Sequence, residues 1–369
     1  MNEVGPPYGA GPGQRAAGTP SGHGKAVDRP SIRAVVIEDS PTQRTELVRI
    51  LQADGDIEVV GLATTAGEAV ELVCRIRPDV IALGLRAGDR RSRNTIEQIM
   101  ARIPTAILAL SPALEGPHSE PSLDALVAGA LDVLPRPSPW TSSDEAQLRR
   151  CVRSLHKVGP VRPPRARVAG RRESVVPPAP TASSVVALAA STGGPPALAE
   201  VLSGLGGLDA PVLVVQHIHQ DFVAGLVAWM TRACPLPVEL ARDGEPALPG
   251  RVYIAGGGRH LRLDARRRLT LSSLPATIHR PSADELLRSV AEHAGTAGIG
   301  VVLTGMGDDG ARGLLALRQR GGRTLAQDEA TSAVFGMPQA AERLGAVSEM
   351  LALGDIASAV MRTVGGPRA

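Results

Sequence analysis

Short apolar runs alternate along most of the chain with longer segments whose apolar side chains recur at helical spacing. Ala34-Val-Val-Ile37, Ile57-Glu-Val-Val60, Val80-Ile-Ala-Leu83, Ala106-Ile-Leu-Ala-Leu110 and residues 132–134 predict strands. The segments 41–53, 66–75, 94–101 and 123–128 between them predict helices, and 143–157 predicts one more. The alternation resumes at Ser184, with strands expected at 185–190, 211–216, 252–255, 269–272 and 299–304. Helices are expected to begin near Pro195, Phe222, Ser282, Ala311 and Pro338, with a last one at 356–364. Strands alternating with helices imply parallel sheets covered on both faces. The expected fold class is therefore α/β, with two doubly wound parallel-sheet domains at 31–140 and 183–369. Residues 1–30, dense in Gly and Pro, read as a disordered tail. Residues 141–182 read as a linker, basic and Pro-rich in its second part.

Composition narrows this picture. At 369 residues and 43% hydrophobic the chain can fill two cores. Aromatics are only 2%, so the cores must be packed from Leu, Val, Ile and Ala. The net charge of +3 is small for this length and supports a nucleic-acid partner only weakly. An α/β C-terminal half also differs from a short helix-turn-helix module, so no nucleic acid is expected. Cys74, Cys151 and Cys234 form no CxxC pair, and the eight His show no zinc spacing. Reduced thiols and no metal ligands are the expectation. The N-terminus lacks an apolar signal segment, and no run approaches the roughly 20 residues of a spanning helix. A cytoplasmic location without direct membrane insertion is expected.

In open parallel sheets, function gathers at the carboxyl ends of the strands. Three strands of the second domain end in chemistry-bearing sequences. Residues 185–190 run into Ser191-Thr-Gly-Gly-Pro-Pro196, 211–216 into His217, and 299–304 into Gly305-Met-Gly-Asp-Asp-Gly310. A nucleophilic serine needs a base, and the base needs an orienting group. Ser191, His217 and Asp309 supply those types on one edge. The strand–turn–helix at Ser191 has the logic of a nucleophile elbow without its GxSxG spelling. Each element also has a plainer reading. Ser-Thr-Gly-Gly suits a phosphate-binding turn, and Asp308 and Asp309 suit a cap on the helix at Ala311. The backbone N–H groups of Met306 and Thr192 are candidate oxyanion donors. His219 reads as a rim residue. Arg280 suits either an acidic substrate or a structural ion pair, and His260 receives no role.

Taken together, Ala189-Ala-Ser-Thr-Gly-Gly-Pro195, Val215-Gln-His217, Ala255-Gly-Gly-Gly258, Arg280-Pro-Ser-Ala-Asp284, Leu303-Thr-Gly-Met-Gly-Asp-Asp-Gly310 and Val334-Phe-Gly-Met-Pro338 resemble the bacterial chemotaxis protein-glutamate methylesterase family. The resemblance spans nearly all of 31–365. It implies a receiver-like (flavodoxin-like) first domain and a methylesterase second domain. It puts the nucleophile on Ser191, the base on His217, the orienting carboxylate on Asp309, and oxyanion donors on Met306 and Thr192. It implies hydrolysis of glutamate methyl esters on methyl-accepting chemoreceptors with release of methanol, and extends to deamidation of receptor glutamines. It requires no cofactor, and adds a chemotaxis histidine kinase as a candidate partner. In such proteins the unphosphorylated receiver covers the active-site edge.

The first domain departs from its family at the phosphorylation site. Glu38-Asp39 and Ser111 match the receiver pattern, but Gly84 stands where the phosphoacceptor aspartate belongs, and Arg136 where a lysine belongs. Glycine cannot form an acyl phosphate, and its presence removes a carboxylate from the magnesium cluster. Asp89 is a poor substitute. A pseudo-receiver is expected. The alternatives are a non-catalytic interaction or scaffold protein, and a nucleotide-binding domain that lacks both a P-loop lysine and a GxGxxG fingerprint.

Overall fold

The computed structural model describes residues 31–86, 91–112, 120–156 and 184–365. The expected N-terminal tail, the Pro-rich stretch before Ser184 and Asp89 lie outside the described residues.

The first sheet holds β1 (Ile32–Ile37), β2 (Ile57–Ala63), β3 (Val80–Gly84), β4 (Ala106–Pro112) and β5 (Asp132–Arg136), all parallel in the order β2-β1-β3-β4-β5. It is flanked by α1 (Pro41–Gln52), α2 (Ala66–Ile76), α3 (Arg91–Arg102), α4 (Glu120–Ala128) and α5 (Ser142–Leu155). Helix starts follow side-chain caps. Ser40 accepts from the Gln43 N–H, Thr65 from that of Glu68, and Thr141 forms a reciprocal capping box with Asp144. Strand order reverses between β1 and β3, so Glu38 and Gly84 end up side by side at the switch point.

The second sheet holds β6 (Val185–Ala190), β7 (Val212–Gln216), β8 (Val238–Leu240), β9 (Val252–Ile254), β12 (Gly298–Val302), β13 (Arg323–Gln327) and β14 (Glu349–Leu351). All its pairs are parallel, in the order β14-β13-β12-β6-β7-β9-β8. Its helices are α6 (Gly194–Ser203), α7 (Val223–Ala233), α8 (Ala283–His293), α9 (Ala311–Gln319), α10 (Met337–Arg343) and α11 (Leu353–Gly365). The central strands β6, β7 and β12 are buried along their whole length, as continuous apolar runs in a doubly covered parallel sheet should be. The chain leaves β6 for β7 on one side and later lays β12 on the other, which makes the carboxyl end of β6 the switch point.

One expectation is corrected. Residues 269–272 form a strand, β11 (Leu269–Ser272), but it pairs antiparallel with β10 (His260–Leu263) in a separate two-stranded ribbon. The Asp264 to Arg268 turn between them is tight, and the Asp264 carboxylate accepts from the Arg266 and Arg268 N–H groups.

The two sheets share a continuous apolar core, in which Leu123 and Leu126 of α4 belong to one cluster with Leu198 of α6 and Leu226 of α7. Close packing also shapes the second half internally. A Cβ on Gly300 of β12 would lie 2.7 Å from Leu314, 2.8 Å from Leu317 and 3.0 Å from Leu287. Glycine here lets α8 and α9 lie directly on the strand. We expect Gly300→Ala to overpack this layer and cost about 1–3 kcal/mol, read as a lowered midpoint of thermal unfolding.

Candidate active site

Ser191 leaves β6 at the switch point and the chain enters α6 almost at once. Gly193 makes the turn in the left-handed region, at φ 74°, and Gly194 and Pro195 open the helix. Gly194 is required by its neighbour, because a Cβ there would collide with the Gln216 side chain. Gln216, buried at the end of β7, donates from Nε2 to the carbonyls of Ser191 (2.7 Å) and His217 (3.0 Å). The His217 N–H donates to Ala190 O at 2.9 Å. Strands β6 and β7 therefore deliver Ser191 and His217 as one tied unit.

The imidazole of His217 faces Asp309, with Nε2 2.9 Å from Oδ2. Both side chains are nearly buried. Nδ1, on the other side of the ring, is buried without a hydrogen-bond partner among the described residues. Asp309 sits beyond β12 against the start of α8. It accepts from Ser282 Oγ at 2.8 Å, Ala283 N–H at 2.8 Å and Asp284 N–H at 3.0 Å. Burial alone would raise its pKa. The hydrogen bond and charge of His217, with the backbone N–H groups of Asp284 and Ala283, outweigh burial and hold the carboxyl well below the usual range. The site thus contains an ionised carboxylate that fixes one face of a histidine.

The plainer reading of Asp308 and Asp309 as caps on α9 is corrected by Asp284. Its Oδ1 accepts from Gly310 N–H at 3.0 Å and Gly313 N–H at 2.7 Å. Asp308 is exposed.

Gly305 packs directly against Ser191. A Cβ there would lie 2.7 Å from Ser191 Cβ and would strike Met337 Sδ. This brings the peptide leading into Met306 beside the serine. Thr304 binds the surrounding loops together, donating to Thr192 O at 3.0 Å and accepting from Val334 N–H at 2.8 Å. Thr192 itself is buried, and its Oγ1 donates to Asp132 Oδ2 of β5 at 2.9 Å. The Gly193 N–H donates to Leu131 O at 2.8 Å, and Ser154 of α5 touches Met306 Sδ. The first half of the chain therefore lies on the turn that carries Ser191. Burial pushes the Asp132 carboxyl up to about 6, against the lowering effect of its bonds from Thr192 and the Val133 N–H.

Other candidates separate by role. His219 caps the short turn Gln220–Phe222 and lies within 3.3 Å of Asp221, consistent with a rim position. Arg280 is exposed, and its carbonyl accepts from the Gly258 N–H. His260 is fully buried, accepting at Nδ1 from the Ser282 N–H (3.1 Å), with Nε2 2.8 Å from Pro275 O. It braces the loop between β11 and α8. Sequence reasoning assigned no role to Gln216, Ser282, Asp284 or His279. The first three lay inside motifs that had been noticed. His279 preceded one, and its ring stacks on that of His217 with centroids 4.3 Å apart and planes 8° from parallel.

At the carboxyl edge of the first sheet, Arg136 pairs with Glu38, and both side chains are buried. Glu38 also accepts from the Ser40 N–H at 3.0 Å. A Cβ at Gly84 would strike the Glu38 carboxylate and lie 2.8 Å from Arg136 Nη1. Ser111 is buried and accepts from Ser122 Oγ at 2.9 Å. Asp39 pairs with Arg86. Among the described residues no group of His, Cys, Asp and Glu is arranged to hold a metal ion, and no helix is long and apolar enough to cross a membrane.

Asp309, His217 and the turn carrying Ser191 thus meet at the carboxyl edge of a doubly wound sheet. The CheB methylesterase family model matches residues 186–360. Protein-glutamate methylesterase/protein-glutamine glutaminase 4 of Myxococcus xanthus is 42% identical over 89% of this chain and 95% of its own length. Protein-glutamate methylesterase/protein-glutamine glutaminase 3 of Anaeromyxobacter dehalogenans is 42% identical over 87% of this chain and 96% of its own length. The crystal structure of the Thermotoga maritima CheB methylesterase catalytic domain is 33% identical, covers 50% of this chain and all of its own, and has a TM-score of 0.48. The chain belongs to the protein-glutamate methylesterase/protein-glutamine glutaminase family.

The Asp132–Thr192 contact makes a pH prediction. Burial raises the Asp132 pKa above the ordinary aspartate value even though the Thr192 bond favours the ionised form, so the folded state holds this proton more tightly than the unfolded chain. The buried arrangement around Asp132 should be most stable below the ordinary aspartate range and lose that contribution as pH rises to about 6. Protection of the Gly193 amide from hydrogen exchange, corrected for intrinsic rates, should fall across that window. Asp132→Asn should flatten the dependence.

Proposed function

We propose that this chain is a serine hydrolase that removes methyl esters from glutamate side chains of chemoreceptors and releases methanol. The observation that carries the reading is the His217 ring, bound to Asp309 through Nε2, with Nδ1 buried and without a hydrogen-bond partner among the described residues. In this mechanism Nδ1 takes the proton as Ser191 Oγ attacks the ester carbonyl. Asp309 holds the tautomer and stabilises the imidazolium. The Met306 and Thr192 backbone N–H groups receive the oxyanion. His217 then returns the proton to the departing methoxide, giving methanol and an acyl-serine. Water, deprotonated by the same histidine, releases the glutamate. The same sequence with an amide would release ammonia from a receptor glutamine. No step requires a cofactor. The family relatives, named for both activities, support this reading over an interaction protein without chemistry.

The control side differs. A receiver's divalent cation would need carboxylates that these residues do not offer. The Arg136 guanidinium already sits on Glu38, and Gly84 contributes no ligand. The chain is therefore read as an esterase whose receiver does not take a phosphoryl group, with β5 and α5 resting on the catalytic edge. In the cell it would act in the cytoplasm, with a chemotaxis histidine kinase as a candidate partner.

Three outcomes test this. Ser191→Ala should reduce methanol release from methylated receptor by at least about 10⁴-fold, and Asp309→Asn by about 10³- to 10⁴-fold; unchanged release from the first variant would remove Ser191 from the mechanism. Incubation with a radiolabelled small-molecule phosphodonor should leave the chain unlabelled. Gly84→Asp alone should remain unlabelled, because the new side chain meets Glu38 and Arg136. A chain of residues 184–369 should be faster than the full-length protein; equal rates would rule out the first half as a cover.

A further inference from the structure

His279 lies on the loop between β11 and α8, outside the Ser191, His217 and Asp309 of the proposed mechanism. Its ring lies parallel to that of His217, at 4.3 Å between centroids and 8° between planes. His279 is solvent-exposed as a residue, yet its inner ring face is spent on the candidate base.

The loop that carries it is held on both sides. His260 binds the Ser282 N–H and approaches the Pro275 carbonyl, the Gly258 N–H donates to Arg280 O, and Thr277 Oγ1 donates to His279 O at 2.6 Å. Four interactions thus fix a segment that is otherwise exposed. What they hold in place is the stacked ring.

His217 needs such a partner. Among the described residues its side chain makes one hydrogen bond, to Asp309, and one bond does not fix a ring about its Cβ–Cγ axis, where the torsional preference is broad. A parallel ring supplies the second restraint. The ionic state of that ring also matters. A neutral imidazole offers its π face to the imidazolium that forms on His217, whereas a second positive charge at this range would oppose that proton. The charged and titratable groups facing His279 are His217 at the end of β7 and Asp308 and Asp309 before α9, with Arg280 next along the chain. Desolvation and the neighbouring His217 push the His279 pKa down, while the two aspartates act in the opposite direction with less effect, which favours the neutral ring.

We propose that His279 is a positioning residue of the esterase site: a neutral ring whose stacking keeps His217 in the plane joining Asp309 to Ser191. This rests on the esterase reading above, and the test separates the two. In the full-length protein, His279→Ala should lower kcat for methanol release by about 10- to 100-fold, with KM within about twofold and the thermal midpoint little changed. His279→Phe, which restores a neutral stacked ring but carries no proton, should recover most of the loss. His279→Lys, which removes the stacked ring and adds a charge, should keep kcat low. An alanine variant with wild-type kcat would overturn the proposal, as would a phenylalanine variant as slow as alanine. Absence of methanol release from the wild-type chain would instead remove the esterase reading. In that event the ¹⁵N imidazole resonances of His217 still decide the stacking role: broadened or split ring resonances in His279→Ala, from a ring no longer held in one orientation, uphold it, and an unchanged spectrum overturns it.

Discussion

The active edge depends on one carboxylate placed at the start of a helix. Asp309 receives two backbone N–H groups and the cap hydroxyl of α8, and only then the His217 ring. A carboxylate removed from water would ordinarily take a proton. Here the unsatisfied N–H groups of a helix terminus, and the positive end of its dipole, replace the lost hydration. The exchange is reciprocal, because Asp284 in the first turn of α8 caps the start of α9, the helix that follows Asp309. Two helices thus terminate on each other's carboxylates. The packing that permits this is the glycine-lined layer of β12, which lets both helices approach close enough to trade caps.

Much of this was legible from the sequence, for a physical reason. The central strands are buried on both faces, so their apolar runs stand out, and parallel sheets place function at strand ends. Strand ends therefore made Ser191, His217 and the Asp308-Asp309 turn plausible on one edge, and the family resemblance chose Asp309 over Asp308. Where the sequence misled, the pattern was weak. Val238–Leu240 and Glu349–Leu351 are edge strands of three residues, and Arg323–Gln327 has polar ends, so none makes an apolar run. Leu269–Ser272 has strand composition, but nothing in it specifies antiparallel pairing outside the main sheet. Asp308-Asp309 before a helix looks like a local cap. The real cap, Asp284, comes from another helix, and no spacing rule reports a contact of that kind. The His217–His279 stack joins residues on different loops and is invisible for the same reason.

Glycines carry information that composition conceals. At Gly194 the missing Cβ makes room for Gln216, which bonds the carbonyls of Ser191 and His217. At Gly305 it lets the peptide before Met306 close on Ser191. At Gly84 it leaves the space into which Glu38 and Arg136 close. The first two glycines tighten the turn around Ser191. The third stands where a reactive side chain would have been, and the ion pair that fills the gap is itself buried. Restoring one residue there does not restore the site, since Glu38 and Arg136 would both have to move.

The two edges are joined by a single strand. Arg136, held by Glu38, is the last residue of β5, and Asp132, held by Thr192, is the first. A strand of this length rises about 13 Å between them and is paired to β4 along its whole length. Such an element transmits position with little bending. In a receiver that is phosphorylated, the charge at the carboxyl end changes with the signal. Here that end carries a buried arginine–glutamate pair, and under the proposed reading, in which it takes no phosphoryl group, the opposite end has no comparable event to report. Thr192, the contact point, is also the neighbour of Ser191. Under the same reading, the hold of the first half on the turn after Ser191 is set by the chemistry of its own contact, Asp132 against Thr192, and not by an event at the far end of the strand.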